Sequence, residues 1–149
     1  MTELLIKALL AYLLGNVLGG SLMARLRGLD LRRSGSGNVG ATNALRAGGW
    51  AMALPVLLID VVKGVLAVSL IPLLPWPGES TVATVHIALV CGVAVSLGHC
   101  YPFWAGFAGG KGVATLAGVF VTLLPGAFAL MLGGFLLTVF ATGHVALGS

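Results

Sequence analysis

The residues best suited to chemistry in this chain lie in two polar, glycine-rich stretches. The serine–glycine stretch, residues 34–46, reads SGSGNVGATNALR and contains no acidic residue. Glycines allow successive backbone N–H groups to point towards one anion, and the hydroxyl groups add neutral donors. Arg46 adds a planar guanidinium that suits phosphate oxygens. The stretch therefore predicts a phosphate-binding loop; the alternative is a flexible linker between two helices, which would need neither the donors nor the arginine.

The glycine–lysine stretch, residues 98–115, reads GHCYPFWAGFAGGKGVAT. Its GGKG end is similar to a nucleotide-binding P-loop, but that motif requires Ser or Thr directly after the lysine and a strand before the loop. Gly112 follows Lys111 and no strand is predicted, so nucleotide binding is excluded. Three glycines around a lysine at a helix start still favour an anion. Glycines that let helices pack closely in lipid are the alternative, and they leave the lysine unexplained.

Several isolated polar residues lie in or beside apolar segments. Asp60 and Lys63 are three residues apart and therefore share a helix face, where charges within a membrane tend to pair or line a polar cavity. We predict an ion pair that supports the site, with direct substrate contact as the alternative. His99, at a helix end, is more typical of a structural hydrogen-bonding group than of a base, and it is kept as a candidate phosphate contact. His86 and His144 have no acidic neighbour in sequence and receive no role.

The chain does not carry the residue sets of nucleophilic or metal-dependent enzymes. No Ser-His-Asp, Cys-His or paired-carboxylate pattern is evident, and Glu3 and Glu79 are expected on the far side of the membrane from the site. Cys91 and Cys100 lack a CxxC spacing and are interpreted as packing residues, with no metal and no disulfide. A site rich in anion donors and poor in bases suits phosphate recognition and electrostatic stabilisation of a transition state.

The elements that position these stretches are membrane helices. Hydrophobic residues make up 58% of the 149 positions, charged residues 8%, and the mean hydropathy is +1.08. Soluble domains carry about 25% charged residues, so lipid must cover most of this surface. The predicted fold is an all-α integral membrane protein in a single transmembrane domain, 1–149, with about five apolar segments: 3–24, 48–74, 81–100, 112–124 and 126–147. The first is too long for a signal-peptide core and is read as a retained helix.

The distribution of charge predicts which side each loop faces. Five arginines lie between residues 25 and 46 against one acid, Asp30, whereas the turn at 75–80 has one Glu and no cation. The positive-inside rule places the first of these in the cytoplasm and the N-terminus outside. The polar segments 34–46, 98–115 and 142–149 then face the cytoplasm together. The fourth apolar segment is too short to cross the roughly 30 Å hydrocarbon core, so either it starts inside the membrane or the preceding loop dips below the surface.

These motifs, in this order, resemble one known family. The runs GSGNVGATNALR (35–46), DVVKG (60–64), GHCYPFWAGFAGGKGVAT (98–115) and TGHVALGS (142–149), together with the opening AYLLGN (11–16), are similar to those of the bacterial acyl-phosphate-dependent glycerol-3-phosphate acyltransferases. The resemblance extends over essentially the whole chain. It implies an all-helical enzyme of the bacterial cytoplasmic (inner) membrane, with its site on the cytoplasmic side.

The resemblance also implies a reaction. A fatty acyl group passes from acyl phosphate to the 1-hydroxyl of glycerol 3-phosphate, giving lysophosphatidic acid and phosphate in phospholipid biosynthesis. No cofactor and no metal are implied, nucleic acid is not a partner, and coupling to the acyltransferase that makes acyl phosphate is a further expectation. Because both substrates carry phosphate, two anion-binding loops on one face are expected.

The site residues follow the family's motif positions. Ser36, Arg46 and Lys111 are the implied catalytic residues. A phosphate oxygen of the substrate is expected to take the hydroxyl proton, since no protein base is evident. The predicted substrate and phosphate contacts are Gly35, Gly37, Asn38, Thr42, Asn43, His99, Gly109, Gly110, Gly112, Thr115 and Ser149.

The chain departs from the family pattern at three places. Ala108 replaces the usual lysine, which predicts the loss of one cation near the phosphate. Ala146 stands where a hydroxyl is frequent, leaving Ser149 as the nearby donor. Family members also continue with further apolar segments and a polar cytoplasmic motif. Weak or no activity is therefore expected, and the alternatives are a catalytically incomplete membrane fragment that binds phosphate ligands or a transporter of a phosphorylated solute.

Overall fold

The computed structural model describes residues 1–78 and 80–143, and no strand occurs among them. The predictions for Glu79, His144, Ala146 and Ser149 lie outside the described residues. The chain forms seven α-helices within that part, with two 3-10 turns at Ile71–Leu73 and Phe103–Ala105. The helices are α1 (Thr2–Gly15), α2 (Gly19–Arg27), α3 (Ala41–Gly48), α4 (Trp50–Ser69), α5 (Thr84–Cys100), α6 (Val113–Leu123) and α7 (Pro125–Thr142).

Four helical segments are long and apolar enough to cross a membrane, namely 2–27, 50–73, 84–105 and 125–142, and α6 is a shorter apolar helix. Large apolar side chains point away from the protein on these segments, such as Leu130 at 80% and Phe140 at 92% exposure. This surface requires lipid as its solvent. The predicted all-helical, multi-pass membrane fold is therefore confirmed.

Besides shifts of a few residues at the segment ends, the structure departs from the prediction in two larger ways. The first apolar segment is broken between α1 and α2, where Asn16 Nδ2 donates to the Tyr12 carbonyl oxygen at 2.6 Å and Leu18 is extended. Averaged hydropathy does not register such a break, because the residues on both sides of it remain apolar. The serine–glycine stretch, expected to be a loop throughout, ends as helix α3 from Ala41 onwards.

Glycines bring the helices of the bundle close together. A β-carbon on Gly98 of α5 would collide with the Tyr12 carbonyl oxygen of α1, and one on Gly118 of α6 would collide with the Val61 carbonyl oxygen of α4. Small residues allow this backbone approach in membrane helices. The carbonyl of Thr115 likewise lies against Gly64, well past the start of α4 at Trp50. The start of α6 therefore lies beside the later turns of α4. The end of the glycine–lysine stretch, which leads into α6, lies past the first turns of α4.

The predicted separation of the last two segments is present, with the break at Leu124. Leu124 leaves the helical conformation at φ −140° and ψ 64°, and Pro125 opens α7. Helix α7 packs beside α6, and none of its residues is buried. Its apolar surface faces the surroundings along its whole length.

The α1–α5 crossing can be tested by one methyl group. Gly98→Ala is expected to lower the free energy of unfolding in detergent by about 1–3 kcal/mol, because overpacking against a fixed backbone forces the helices apart. Thermal unfolding of the purified protein measures this. Gly133→Ala in α7 is the matched control, since a β-carbon there meets no atom within 4 Å. Equal melting temperatures for the two variants would contradict the close crossing.

Candidate functional site

The segment that leads into the serine–glycine stretch contacts the glycine–lysine stretch. The Arg32 guanidinium, just before the serine–glycine stretch, donates a hydrogen bond to the Ala108 carbonyl oxygen in the glycine–lysine stretch. Ala108 stands where the family usually has a lysine, and this predicted the loss of one cation. The Arg32 guanidinium supplies a positive charge at that place. The contact places the start of the serine–glycine stretch close to the glycine–lysine stretch, as a shared site would require. The third polar segment, 142–149, lies mostly outside the described residues.

The glycine–lysine stretch is also anchored to α1. The Phe103 N–H donates to Asn16 Oδ1 at 2.8 Å, and the Tyr12 hydroxyl donates to the Tyr101 carbonyl oxygen at 2.7 Å. Tyr12, in α1, and Asn16, at the break after it, therefore hold this stretch in place. Neither contact follows from sequence patterns, since the partners are nearly ninety residues apart.

Asn43 organises the first half of the site. It lies in α3, is 2% exposed, and its Nδ2 is 2.9, 2.9 and 2.8 Å from the carbonyl oxygens of Leu31, Ser34 and Asn38. Its Oδ1 accepts a hydrogen bond from the Ser36 N–H at 3.0 Å. Asn43 was predicted to contact phosphate, but its Nδ2 and Oδ1 atoms are both hydrogen-bonded within the chain. Asn43 shapes the loop that presents Ser36.

The remaining predicted residues of this stretch lie around that loop. Ser36 and Arg46 are exposed, with Arg46 in the last turn of α3, and Thr42 is half-buried. Asn38 Oδ1 accepts from the Gly40 N–H at 3.0 Å. The loop turns at Gly35 and Gly37, where φ is 56° and 71°. A side chain at Gly35 would also strike Asn43 Oδ1, so glycine is required there for space as well as for conformation.

The glycine–lysine stretch folds back on the end of α5. The Gly109 N–H donates to the Cys100 carbonyl oxygen at 3.0 Å, and the Gly110 N–H donates to the His99 carbonyl oxygen at 3.1 Å. Two N–H groups expected to face an anion are therefore paired within the chain. Gly112, at φ 81°, precedes α6, and the exposed Lys111 stands before this helix start. The Lys111 ammonium and the first N–H groups of α6 are what this stretch can offer an anion.

Thr115 lies inside the helix bundle. It is 0% exposed, its carbonyl packs on Gly64 of α4, and its hydroxyl has no hydrogen-bond partner within the described part of the chain. The predicted phosphate contact at this position is thus on a buried face of α6. Its role at the substrate stays a prediction.

Beneath the loops lies a buried polar cluster of three side chains. Lys63 Nζ is 2.9 Å from Asp60 Oδ1, which confirms the predicted ion pair. His99 Nδ1 lies 2.7 Å from Lys63 Nζ and 3.5 Å from Asp60 Oδ1, and all three residues are at most 3% exposed. The sequence did not indicate that His99 joins this pair, because nothing in a pattern of single helices relates α4 to the end of α5.

A second buried pair lies at the opposite end of α1. Lys7 Nζ is 2.7 Å from Glu3 and 2.8 Å from the Pro72 carbonyl oxygen. Glu3, expected on the far side of the membrane from the site, is 6% exposed and forms this ion pair at the start of α1. Among the described residues, no group of three or more His, Cys, Asp or Glu side chains is arranged to hold a metal ion.

Removal of the Asn43 amide is expected to disorder the serine–glycine stretch. Asn43→Ala leaves the Ser36 N–H and three carbonyl groups without their partner, at about 1–3 kcal/mol for each buried group left unpaired. Hydrogen–deuterium exchange should become faster across residues 31–38. The control is Asn38→Ala, which removes one half-buried hydrogen bond to the Gly40 N–H. Unchanged exchange in Asn43→Ala would show that another group shapes the loop.

Comparison with known proteins gives a consistent result. The family model described as glycerol-3-phosphate acyltransferase matches residues 5–149. The glycerol-3-phosphate acyltransferase of Chlorobium limicola is 38% identical over 157 residues, covering 100% of this chain, and the chain spans 66% of that relative's length. The glycerol-3-phosphate acyltransferase of Myxococcus xanthus is 46% identical over 155 residues. This match covers all of this chain and 74% of the length of that relative.

A solved structure agrees with both the sequence and the fold. The integral membrane glycerol 3-phosphate acyltransferase PlsY (YgiH), in its glycerol 3-phosphate form, superposes with a TM-score of 0.82 at 35% identity. The match covers 97% of this chain and 70% of PlsY. Its lysophosphatidic acid form gives a TM-score of 0.79 at 34% identity, over 97% of this chain and 69% of that one. The chain belongs to the glycerol-3-phosphate acyltransferase family.

Proposed function

We propose that this chain transfers a fatty acyl group from acyl phosphate to the 1-hydroxyl of glycerol 3-phosphate, giving lysophosphatidic acid and inorganic phosphate. Family membership supports the acyltransferase class. The related PlsY was crystallised in glycerol 3-phosphate and lysophosphatidic acid forms, which supports the acceptor and the product. Acyl phosphate as the donor rests on the resemblance of the motifs.

The observation that carries the proposal is the Arg32–Ala108 hydrogen bond, which holds the start of the serine–glycine stretch close to the glycine–lysine stretch. Each stretch contributes an exposed cation, Arg46 or Lys111, and the first also contributes the exposed Ser36. Two phosphate-bearing substrates need two sets of anion donors. In the proposed mechanism, these donors hold the substrates in contact and stabilise charge that develops on the phosphate leaving group.

The proton of the attacking hydroxyl is proposed to pass to a phosphate oxygen of the substrate. Asp60 and His99, the carboxylate and imidazole beneath the loops, both face the Lys63 ammonium and are buried. A pH–rate profile tests this step. A histidine-like ionisation that disappears in His99→Ala would instead identify His99 as the base.

Orientation and cellular setting are proposals of the same kind. The arginine-rich end that carries the site faces the cytoplasm of a bacterial inner membrane in this proposal, with the N-terminus outside, in accordance with the positive-inside rule. Residues 1–149 are proposed to act as one transmembrane domain. We also propose that this chain receives acyl phosphate from the acyltransferase that produces it.

The test uses the purified full chain in detergent with palmitoyl phosphate and radiolabelled glycerol 3-phosphate. Label is expected in lysophosphatidic acid, with one inorganic phosphate released per acyl group transferred. Palmitoyl-CoA as sole donor is the control for donor class and is expected to give no product. Binding of glycerol 3-phosphate without product would instead indicate an incomplete phosphate-binding fragment. Accumulation of label inside proteoliposomes would indicate a transporter.

A further inference from the structure

We propose that Lys63 is a positioning residue for the glycine–lysine stretch. It fixes the ring of His99, and the ring supports the backbone at Gly110, so that Lys111 is held in place at the start of α6. This inference rests on the proposed function for its catalytic meaning. The placement of the loop is measurable without turnover.

The first step is the fixed position of the Lys63 ammonium. Its Nζ lies 3.1 Å from the Gly15 carbonyl oxygen and 2.7 Å from that of Val17, both at the break after α1. These carbonyls are free to accept because a helix end leaves its last oxygens without partners inside the helix. Asp60 supplies the opposite charge at 2.9 Å and also accepts from the Gly19 N–H at 3.3 Å. The end of α1, the break after it and Asp60 of α4 therefore define where the ammonium sits.

The second step is the orientation of the imidazole. An ammonium group has hydrogens to donate and no acceptor, so at 2.7 Å from Lys63 Nζ the Nδ1 atom of His99 accepts. Lys63 is the nearer partner, because Asp60 Oδ1 is 3.5 Å from the same nitrogen. The ring is thus held by its Nδ1 edge, and its opposite edge points out of the cluster.

The third step is the contact between that opposite edge and the loop. A β-carbon on Gly110 would lie 3.0 Å from His99 Cε1 and 3.1 Å from Cδ2, and would collide with Nε2. The ring edge therefore occupies the space in which a side chain at position 110 would lie. The Gly110 N–H also bonds to the His99 carbonyl oxygen at 3.1 Å. Residue 99 supports the loop twice, through its backbone and through its ring, next to Lys111.

A simpler role for the cluster is to join α1, α4 and α5 in the bundle. Such a role would need only the contacts of Lys63 with Asp60, with the carbonyl groups at the break and with His99 Nδ1, since these already connect α1, α4 and α5. It gives no reason for the far edge of the imidazole to reach Gly110. The two roles differ in what they predict for the loop, and that difference can be measured.

The test measures hydrogen–deuterium exchange at residues 106–112 together with calorimetric affinity for glycerol 3-phosphate and for inorganic phosphate. Asp60→Asn/Lys63→Met removes the charged pair as a unit, so that no lone charge stays buried. It is expected to speed exchange at the Gly109 and Gly110 amides and to weaken binding by about 10- to 100-fold, as for loss of precise positioning. Exchange in α1, α4 and α5 should change little. Faster exchange throughout those helices with no excess at 106–112 would establish the joining role and overturn the proposal.

A double-variant cycle shows whether Lys63 acts through the ring. In a His99→Ala background, Asp60→Asn/Lys63→Met is expected to cause no further change in loop exchange or affinity, because the connection is already lost. Additive effects would overturn the proposal. Gly110→Ala is a second probe, since its methyl group collides with the ring of the parent protein and fits the space left by His99→Ala. Equal harm from Gly110→Ala in both backgrounds would also overturn it.

These readouts separate the inference from the proposed function. If the parent protein binds glycerol 3-phosphate but forms no product, the proposed acyl transfer fails while the cycle still reports on the loop. If the parent protein binds neither phosphate compound, amide exchange at 106–112 decides alone. Loop exchange that is unchanged in Asp60→Asn/Lys63→Met overturns the inference whatever the activity.

Discussion

Lys111→Ala is expected to lower acyl-transfer turnover by on the order of 10²–10³-fold, the scale for removal of one group that stabilises transition-state charge. Lys111 is exposed at the start of α6, and the Gly109 and Gly110 N–H groups before it are already paired with α5. Little else in that loop can replace its charge opposite a phosphate. Initial rates with palmitoyl phosphate and glycerol 3-phosphate measure the effect.

The comparison for Lys111 is another exposed cation near the site. Arg33 is exposed, and within the part of the chain that the structure describes its side chain makes neither a hydrogen bond nor an ion pair. Arg33→Ala removes the same unit of charge from the surface and is expected to change the rate only a few-fold, because exposed charges are screened by salt. Similar losses in both variants would point to general surface potential, and Lys111 would lose its assigned role.

Lys63→Met alone is expected to destabilise the protein by about 3–5 kcal/mol, because it leaves the Asp60 carboxylate, 1% exposed, without its opposite charge. Asp60→Asn/Lys63→Met should recover most of that loss, since a neutral pair of similar volume has no buried charge to compensate. Unfolding in detergent, followed by circular dichroism, gives both values.

The second buried pair provides the control for this prediction. Lys7→Met leaves Glu3 near the other end of α1, away from the glycine–lysine stretch, and should cause a loss of stability without faster exchange at residues 106–112. A double variant less stable than Lys63→Met would show that the unpaired Asp60 charge is not what destabilises the single variant. Stability and loop placement are thereby measured on separate variants.

Local patterns were sufficient for the features that depend on neighbours along the chain. Asp60 and Lys63 share a helix face because they are three residues apart, and their pairing follows from the cost of a lone charge in a membrane. Long apolar runs predicted the membrane spans, since the length and composition of a run are also properties of neighbouring residues. The acid-free composition of residues 34–46 likewise predicts a phosphate-binding loop from residue types alone, without the shape of the loop.

Features that depend on approach between distant segments could not be predicted in this way. His99 reaches Lys63 across 36 residues, and Arg32 reaches Ala108 across 76. The role of Asn43 could not be predicted either, because an asparagine that organises a loop and one that binds phosphate look the same in sequence. Only the packing of α3 decides between them, by enclosing this side chain within residues 31–38.

The Arg32–Ala108 contact has a consequence for how this site tolerates mutation. The arginine bonds to a main-chain oxygen, which every residue type at position 108 would present. Position 108 is exposed, so its side chain is free to vary while the connection between the two stretches survives. In a saturation library scored for acyl transfer, position 108 should accept many residues and position 32 few. Among the described residues, this hydrogen bond depends on the side chain of Arg32 and on the main chain of residue 108, so substitutions at position 108 are expected to leave it intact.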